Sequence, residues 1–187
     1  MKRKRLGFTL VEIIIALAFT VIILGIASSM FITGNKVFSD SDIKSTLQIE
    51  GQAIQEKISD IGMQAAAVQD LELDNNNQMN YMKISSYVYD QNGNPILHSF
   101  EINKEDTGEV YKNGSKKYKL SIYDEATSSH ELISSNVESV SLDDATVTNA
   151  NMLKNINSIE FNISLKKEDG YSSVEQHVDF RVTFRNK

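Results

Sequence analysis

The chain contains no cysteine in 187 residues. No disulfide can staple it and no thiolate can serve as nucleophile or metal ligand, so its stability must come from a core. Proline is almost absent as well: Pro95 is the only one, and none lies between Phe8 and Val68 to break a helix there. Charge is missing from one long block, since Ile13 to Asn35 carries no ionisable side chain. No glycine-rich phosphate loop, Ser-His-Asp order or carboxylate pair is supported by its local context. His98, His130 and His177 are isolated from one another and from any metal-ligand spacing, and read as surface or strand residues. Asp143-Asp144 could add oxygen ligands to a calcium site, but the pair reads more simply as a solvated loop. No enzyme activity, cofactor or metal is expected.

What is present begins at the N-terminus. Lys2, Arg3, Lys4 and Arg5 form a short basic block, Gly7-Phe8-Thr9-Leu10-Val11-Glu12 follows, and the uncharged run comes next. That run is long enough for a membrane helix, which needs about 20 largely apolar residues. The positive-inside rule keeps the basic end in the cytoplasm and places the chain after residue 33 outside. A cleaved secretory signal would place small residues in an A-x-A-like pattern after a shorter apolar core, whereas this run is too long and its only plausible processing point lies in front of it. A plain signal anchor remains possible, but it leaves Glu12 unexplained, because a carboxylate at the edge of an apolar helix calls for a partner. If the chain is cut after Gly7, Phe8 carries a positive amine four residues before Glu12, on the same helix face. The same pairing could join neighbouring molecules.

These residues, in this order and spacing, resemble the class III signal of type IV prepilins and pseudopilins. The match covers roughly residues 2–30. The resemblance implies a leader of residues 1–7, cleavage between Gly7 and Phe8 by a membrane prepilin peptidase, and N-methylation of Phe8. It further implies extraction from the cytoplasmic membrane into a filament of pilins or pseudopilins, driven by an assembly ATPase acting through a platform protein. Glu12 would neutralise a neighbour's Phe8 amine during assembly. Many pilins close a C-terminal loop with a disulfide, and this chain departs from that pattern.

The remainder reads as an α+β head. Ile43, Leu47, Ile54, Ile58, Ile61, Ala65 and Val68 recur at spacings of three, four or seven, predicting an amphipathic helix over residues 34–68. Joined to a membrane and filament-core helix over residues 8–33, it would extend about 90 Å from Phe8 to Val68. Gly25, Ser28-Ser29 and Gly34 are the candidate bends. Asp74-Asn75-Asn76-Asn77-Gln78 is a polar loop, and residues 69–187 form a β-rich head. Strands are predicted over residues 81–89 and 96–102 around Asn92-Gly93, and over 109–112 and 117–123 around Asn113-Gly114. Residues 137–142, 156–165 and 174–184 alternate, the last two joined by a turn at residues 166–170. Five to seven strands after one long helix predict a largely antiparallel sheet with the helix stripe on one face.

The formal net charge is −6; without the four leader charges, 15 basic side chains face 25 acidic ones, a formal −10. Such a surface is a poor partner for nucleic acid phosphates, and direct binding of nucleic acid is not expected. The order of the later segments, closing on Phe180-Arg181-Val182-Thr183-Phe184-Arg185-Asn186, resembles PilW-like minor pilins and J-type minor pseudopilins of type II secretion. That resemblance and the absence of a helix-breaking proline favour a minor filament component, anchored in the cytoplasmic membrane before assembly and at the cell surface afterwards. Two other readings stay open: a competence pseudopilin working in DNA uptake, and a membrane-anchored surface protein that never assembles.

Overall fold

A computed structural model of the chain describes residues 8–142 and 157–184. The chain folds as one long helix, α1 (Leu10–Met63), followed by seven strands: β1 (Ala65–Leu73), β2 (Met79–Tyr89), β3 (Pro95–Val110), β4 (Lys116–Asp124), β5 (Ser129–Leu142), β6 (Ser158–Asp169) and β7 (Ser172–Thr183). The strands form a single antiparallel sheet in the order of the sequence, β1 to β7. The sheet curls, so that Gln78, just before β2, bridges Ser141 on β5 although two strands lie between β2 and β5 in sheet order. The expected α+β architecture is the one observed.

α1 runs 54 residues, about 80 Å at 1.5 Å per residue, and passes through both Gly25 and Gly34 as continuous helix. Only its second half is covered. Ile43, Leu47, Ile54, Ile58 and Ile61 are buried, as the stripe predicts, against a core that includes Ile159, Phe161, Ile163, Leu165, Phe180 and Val182. The helix lies chiefly along β7 and touches β6, β5 and β2 more sparingly. Two glycines make the close approach possible. A Cβ added at Gly51 would stand 2.7 Å from Val178 Cγ2, and one added at Gly62 would overlap Val182 Cγ1 outright. Gly51 thus fills the gap of seven between Leu47 and Ile54 in the apolar stripe.

The contact is also keyed by polar groups. Ser134 Oγ and Asn136 Nδ2 on β5 donate to Glu50 at 2.5 and 2.9 Å, bringing a half-buried carboxylate against two buried polar side chains. At the far end, Ser86 Oγ donates to the Ile61 carbonyl at 2.8 Å and Tyr87 N–H to the Gln64 carbonyl at 3.0 Å. These bonds satisfy acceptors that a helix terminus leaves open.

Here the boundary at residue 68 needs correction: α1 stops at Met63, and Ala65 and Val68 belong to β1. β1 is bulged against β2 between Ala65 and Ala67 and between Val68 and Asp70. Each bulge adds a residue and stretches the usual two-residue alternation, so the buried positions fall at Ala65, Val68 and Leu71. A spacing of three imitates a helix face. The hairpin turns stand where predicted: Gly93 (φ 80°) and Gly114 (φ 85°) occupy the left-handed conformations that turns of this kind need. β3 absorbs the separate strand expected over residues 109–112, through an irregularity between Asp106 and Val110 that contains Gly108. β5 begins eight residues earlier than predicted, at Ser129. The turn predicted over residues 166–170 shrinks to Gly170-Tyr171, because β6 continues to Asp169. Lys166, placed in that turn by its charge, is instead buried, 3.5 Å from Glu138 and over the Tyr111 ring.

The glycine seam yields a sharp expectation. Gly62→Ala forces a methyl into Val182, whose β-branched side chain has little rotamer freedom. Overpacking of this kind costs about 1–3 kcal/mol, which outweighs the roughly 1 kcal/mol gain in helix propensity. Urea unfolding of a soluble fragment of residues 34–187 should show Gly62→Ala destabilised, Gly51→Ala less so, and Gly62→Ala with Val182→Ala partly restored.

Candidate functional site

Beyond the head, α1 carries the residues that drew attention in the sequence. Thr9 is its N-cap, in extended conformation at φ −77° and ψ 154°. The Glu12 N–H reaches Thr9 Oγ1 at 3.3 Å, while the Thr9 N–H and hydroxyl donate to Glu12 Oε2 at 2.8 and 2.9 Å. This is a capping box, which satisfies first-turn donors on both sides and sets a carboxylate at the positive end of the helix. Both Thr9 donors use Oε2, so Oε1 takes no hydrogen bond among the described residues. The sequence singled out Glu12 for a charge partner and gave Thr9 only a place in the motif, although Thr-x-x-Glu before an apolar run is the signature of such a cap. Phe8 is exposed beside it. Gly7 and the basic residues Lys2, Arg3, Lys4 and Arg5 lie outside the described residues.

From Leu10 to Phe38 the large apolar side chains of α1 are all exposed by half or more. Ile13, Ile14 and Ile15 are exposed although they point to different sides of the axis, so the apolar surface surrounds the helix. None of the most apolar part of the helix is buried. The helix is therefore long and apolar enough to cross a membrane. Both of its threonine hydroxyls past the cap turn back onto the helix: Thr20 Oγ1 donates to the Ala16 carbonyl at 2.8 Å and Thr33 Oγ1 to the Ser29 carbonyl at 3.0 Å. Such back-bonding hides a hydroxyl that would otherwise be costly in an apolar medium.

The histidines are engaged singly. His98 Nδ1 stands 3.0 Å from Asp124 Oδ2, His177 Nδ1 stands 2.9 Å from Ser164 Oγ, and His130 lies tilted against the Tyr123 ring. Among the described residues no group of three or more His, Asp or Glu side chains is placed to hold a metal ion. Asp143-Asp144 lies outside the described residues. Compared with protein-family models, with curated proteins and with solved structures, the chain matches none.

Asp124 provides a pH-dependent handle on the head. Burial pushes its carboxyl up, but hydrogen bonds from Thr127, His98 and the Ala126 N–H outweigh that and hold it below the ordinary value of 3.8. A carboxylate lowered in the folded state adds stability above the unfolded value and loses it as pH falls through the folded one. Acid unfolding followed by circular dichroism should therefore show stability dropping below about pH 4. Asp124→Asn should be less stable than the unsubstituted head at neutral pH, with a shallower decline on acidification.

Proposed function

We propose that this chain is a structural subunit, a minor pilin or pseudopilin, of a type IV pilus or type II secretion-like filament. The observation that carries this reading is the division of α1. One uninterrupted helix has its large apolar side chains bare from Leu10 to Phe38, with no charge from Ile13 to Asn35, and becomes the spine of a folded head from Ile43 to Ile61. A helix apolar all round belongs inside a membrane or a protein core, and a filament core supplies the second after a bilayer has supplied the first. The Gly7-Phe8-Thr9-Leu10-Val11-Glu12 order at its start supports processing by a prepilin peptidase.

In this mechanism the basic leader holds the precursor in the cytoplasmic membrane with its head outside. Cleavage after Gly7 removes the leader, and methylation follows at the Phe8 amine. The assembly ATPase and platform protein then draw the helix from lipid into the filament. Apolar surface stays buried throughout, so the transfer exchanges one apolar surrounding for another and needs external work. The capping box keeps Glu12 at the helix mouth with one oxygen committed to Thr9 and the other open to a neighbour's Phe8 amine.

Mass spectrometry of the mature protein should find Phe8 at the N-terminus, methylated, and Gly7→Ala or a larger residue should slow or block the cut. Glu12→Gln should be cleaved and exported normally, yet stay in membrane fractions with little recovered in sheared filaments. Full incorporation of Glu12→Gln would refute the ion-pair role. An uncleaved wild-type terminus in cells with active peptidase would point to an anchored protein that does not assemble.

A further inference from the structure

The turn between β6 and β7 presents Tyr171 at 97 % exposure, the most exposed large hydrophobic side chain among the described residues. Its position along the helix can be worked out. Gly51 meets Val178 and Gly62 meets Val182, so β7 runs parallel to α1. Going back from Val178 to Tyr171 covers about 23 Å of strand at about 3.3 Å per residue. The same length is about 15 residues of helix, which brings Tyr171 level with Lys36, the first charge after the uncharged run. The groove beside this turn agrees with that placement: Val37, Asp40, Ser41 and Lys44 line it with Ser173, Val174 and Glu175. On the helix at the same level, Val37 and Phe38 are 57 % and 78 % exposed.

The turn is also held in place. Lys112 Nζ donates to the Gly170 carbonyl at 2.5 Å, and the Lys112 N–H donates to Glu168 Oε2 at 3.0 Å. Tyr111, next to it, donates its hydroxyl to the Lys166 carbonyl at 2.7 Å. The β3–β4 hairpin thus braces the β6–β7 hairpin, and a tyrosine is held out on a supported turn.

We propose that Tyr171 is an interfacial anchor: while α1 spans the membrane, the β6–β7 turn rests in the outer lipid headgroup layer and sets the depth and rotation of the head. Tyrosine suits that layer, having an apolar ring and a polar tip, and is enriched there. The occupant follows from continuity, because the same level of the molecule is where the apolar run of α1 gives way to charge. This inference rests on the membrane-spanning reading of α1.

The chain has no tryptophan, so each engineered one is a single reporter. Full-length Tyr171→Trp, Phe19→Trp and Tyr89→Trp would be reconstituted separately in phosphatidylcholine nanodiscs containing headgroup-labelled or acyl-chain-labelled quencher lipids. Tyr89 is the distal control, at the cleft that Asp60, Ile61 and Gln64 line near the other end of α1. Tyr171→Trp should show blue-shifted emission and be quenched several-fold more by headgroup labels than Tyr89→Trp is. Phe19→Trp should be quenched by acyl-chain labels. If Phe19→Trp is quenched but Tyr171→Trp emits as in water and ignores both labels, the anchor is disproved and the spanning reading stands. If Phe19→Trp is not quenched, the spanning reading itself fails and the anchor with it. A blue shift at Tyr171→Trp that needs high protein-to-lipid ratio and no lipid label assigns the turn to a second copy, which also overturns the proposal.

Discussion

The close seam between α1 and β7 is the contact on which the rest of the molecule depends. Gly51 and Gly62 let the helix backbone come down onto Val178 and Val182, and the isoleucines between them complete a core shared with β6 and β7. That seam aligns helix and strand in parallel and ends near Ile43. The large apolar side chains from Leu10 to Phe38 are left bare by the head, although they form a stretch apolar enough to cross a membrane. A single helix therefore meets two different surroundings. Its second half is satisfied by its own sheet, and its first half only by something outside the described chain.

The polar groups respect the same division. On the head, two enclosed charges have polar partners: Glu50 has Ser134 and Asn136, and Lys166 has Glu138. Along the bare half, the hydroxyls of Thr20 and Thr33 turn back onto the helix's own carbonyls, and the one carboxylate is held by Thr9. A soluble helix would show charged residues on its outer face. Here charge returns only at Lys36, where the head begins to approach.

Much of this was legible from residues alone, for physical reasons that differ by region. The α+β class, the apolar stripe and the Asn-Gly hairpins were readable because periodicity and turn chemistry are local. The end of α1 was not, because two bulges give β1 a three-residue burial spacing that copies the helix face before it. Lys166 was misplaced because its charge reads as solvated, whereas Glu138, the Tyr111 ring and the curl of the sheet enclose it. The role of Gly51 in the seam was invisible, since a missing side chain has no hydropathy to register. At the candidate site, Glu12 stood out by its isolation in an apolar run, while Thr9 was read as part of the motif and not as a cap, despite an explicit capping pattern. Tyr171 could not be valued from the sequence, because its level along α1 depends on the register of β7.

The central claim is that the first half of α1 is surrounded by apolar material on all sides in the assembled or membrane-held protein. Single cysteines introduced from residue 13 to residue 40 test it directly, since the chain has none of its own. In intact membranes a charged, water-soluble thiol reagent should fail to modify every position from 13 to 33, with reactivity returning at about Lys36 to Phe38. Protection recurring every three or four residues would instead mark a helix lying with one face on a protein or membrane surface. That result would contradict the account.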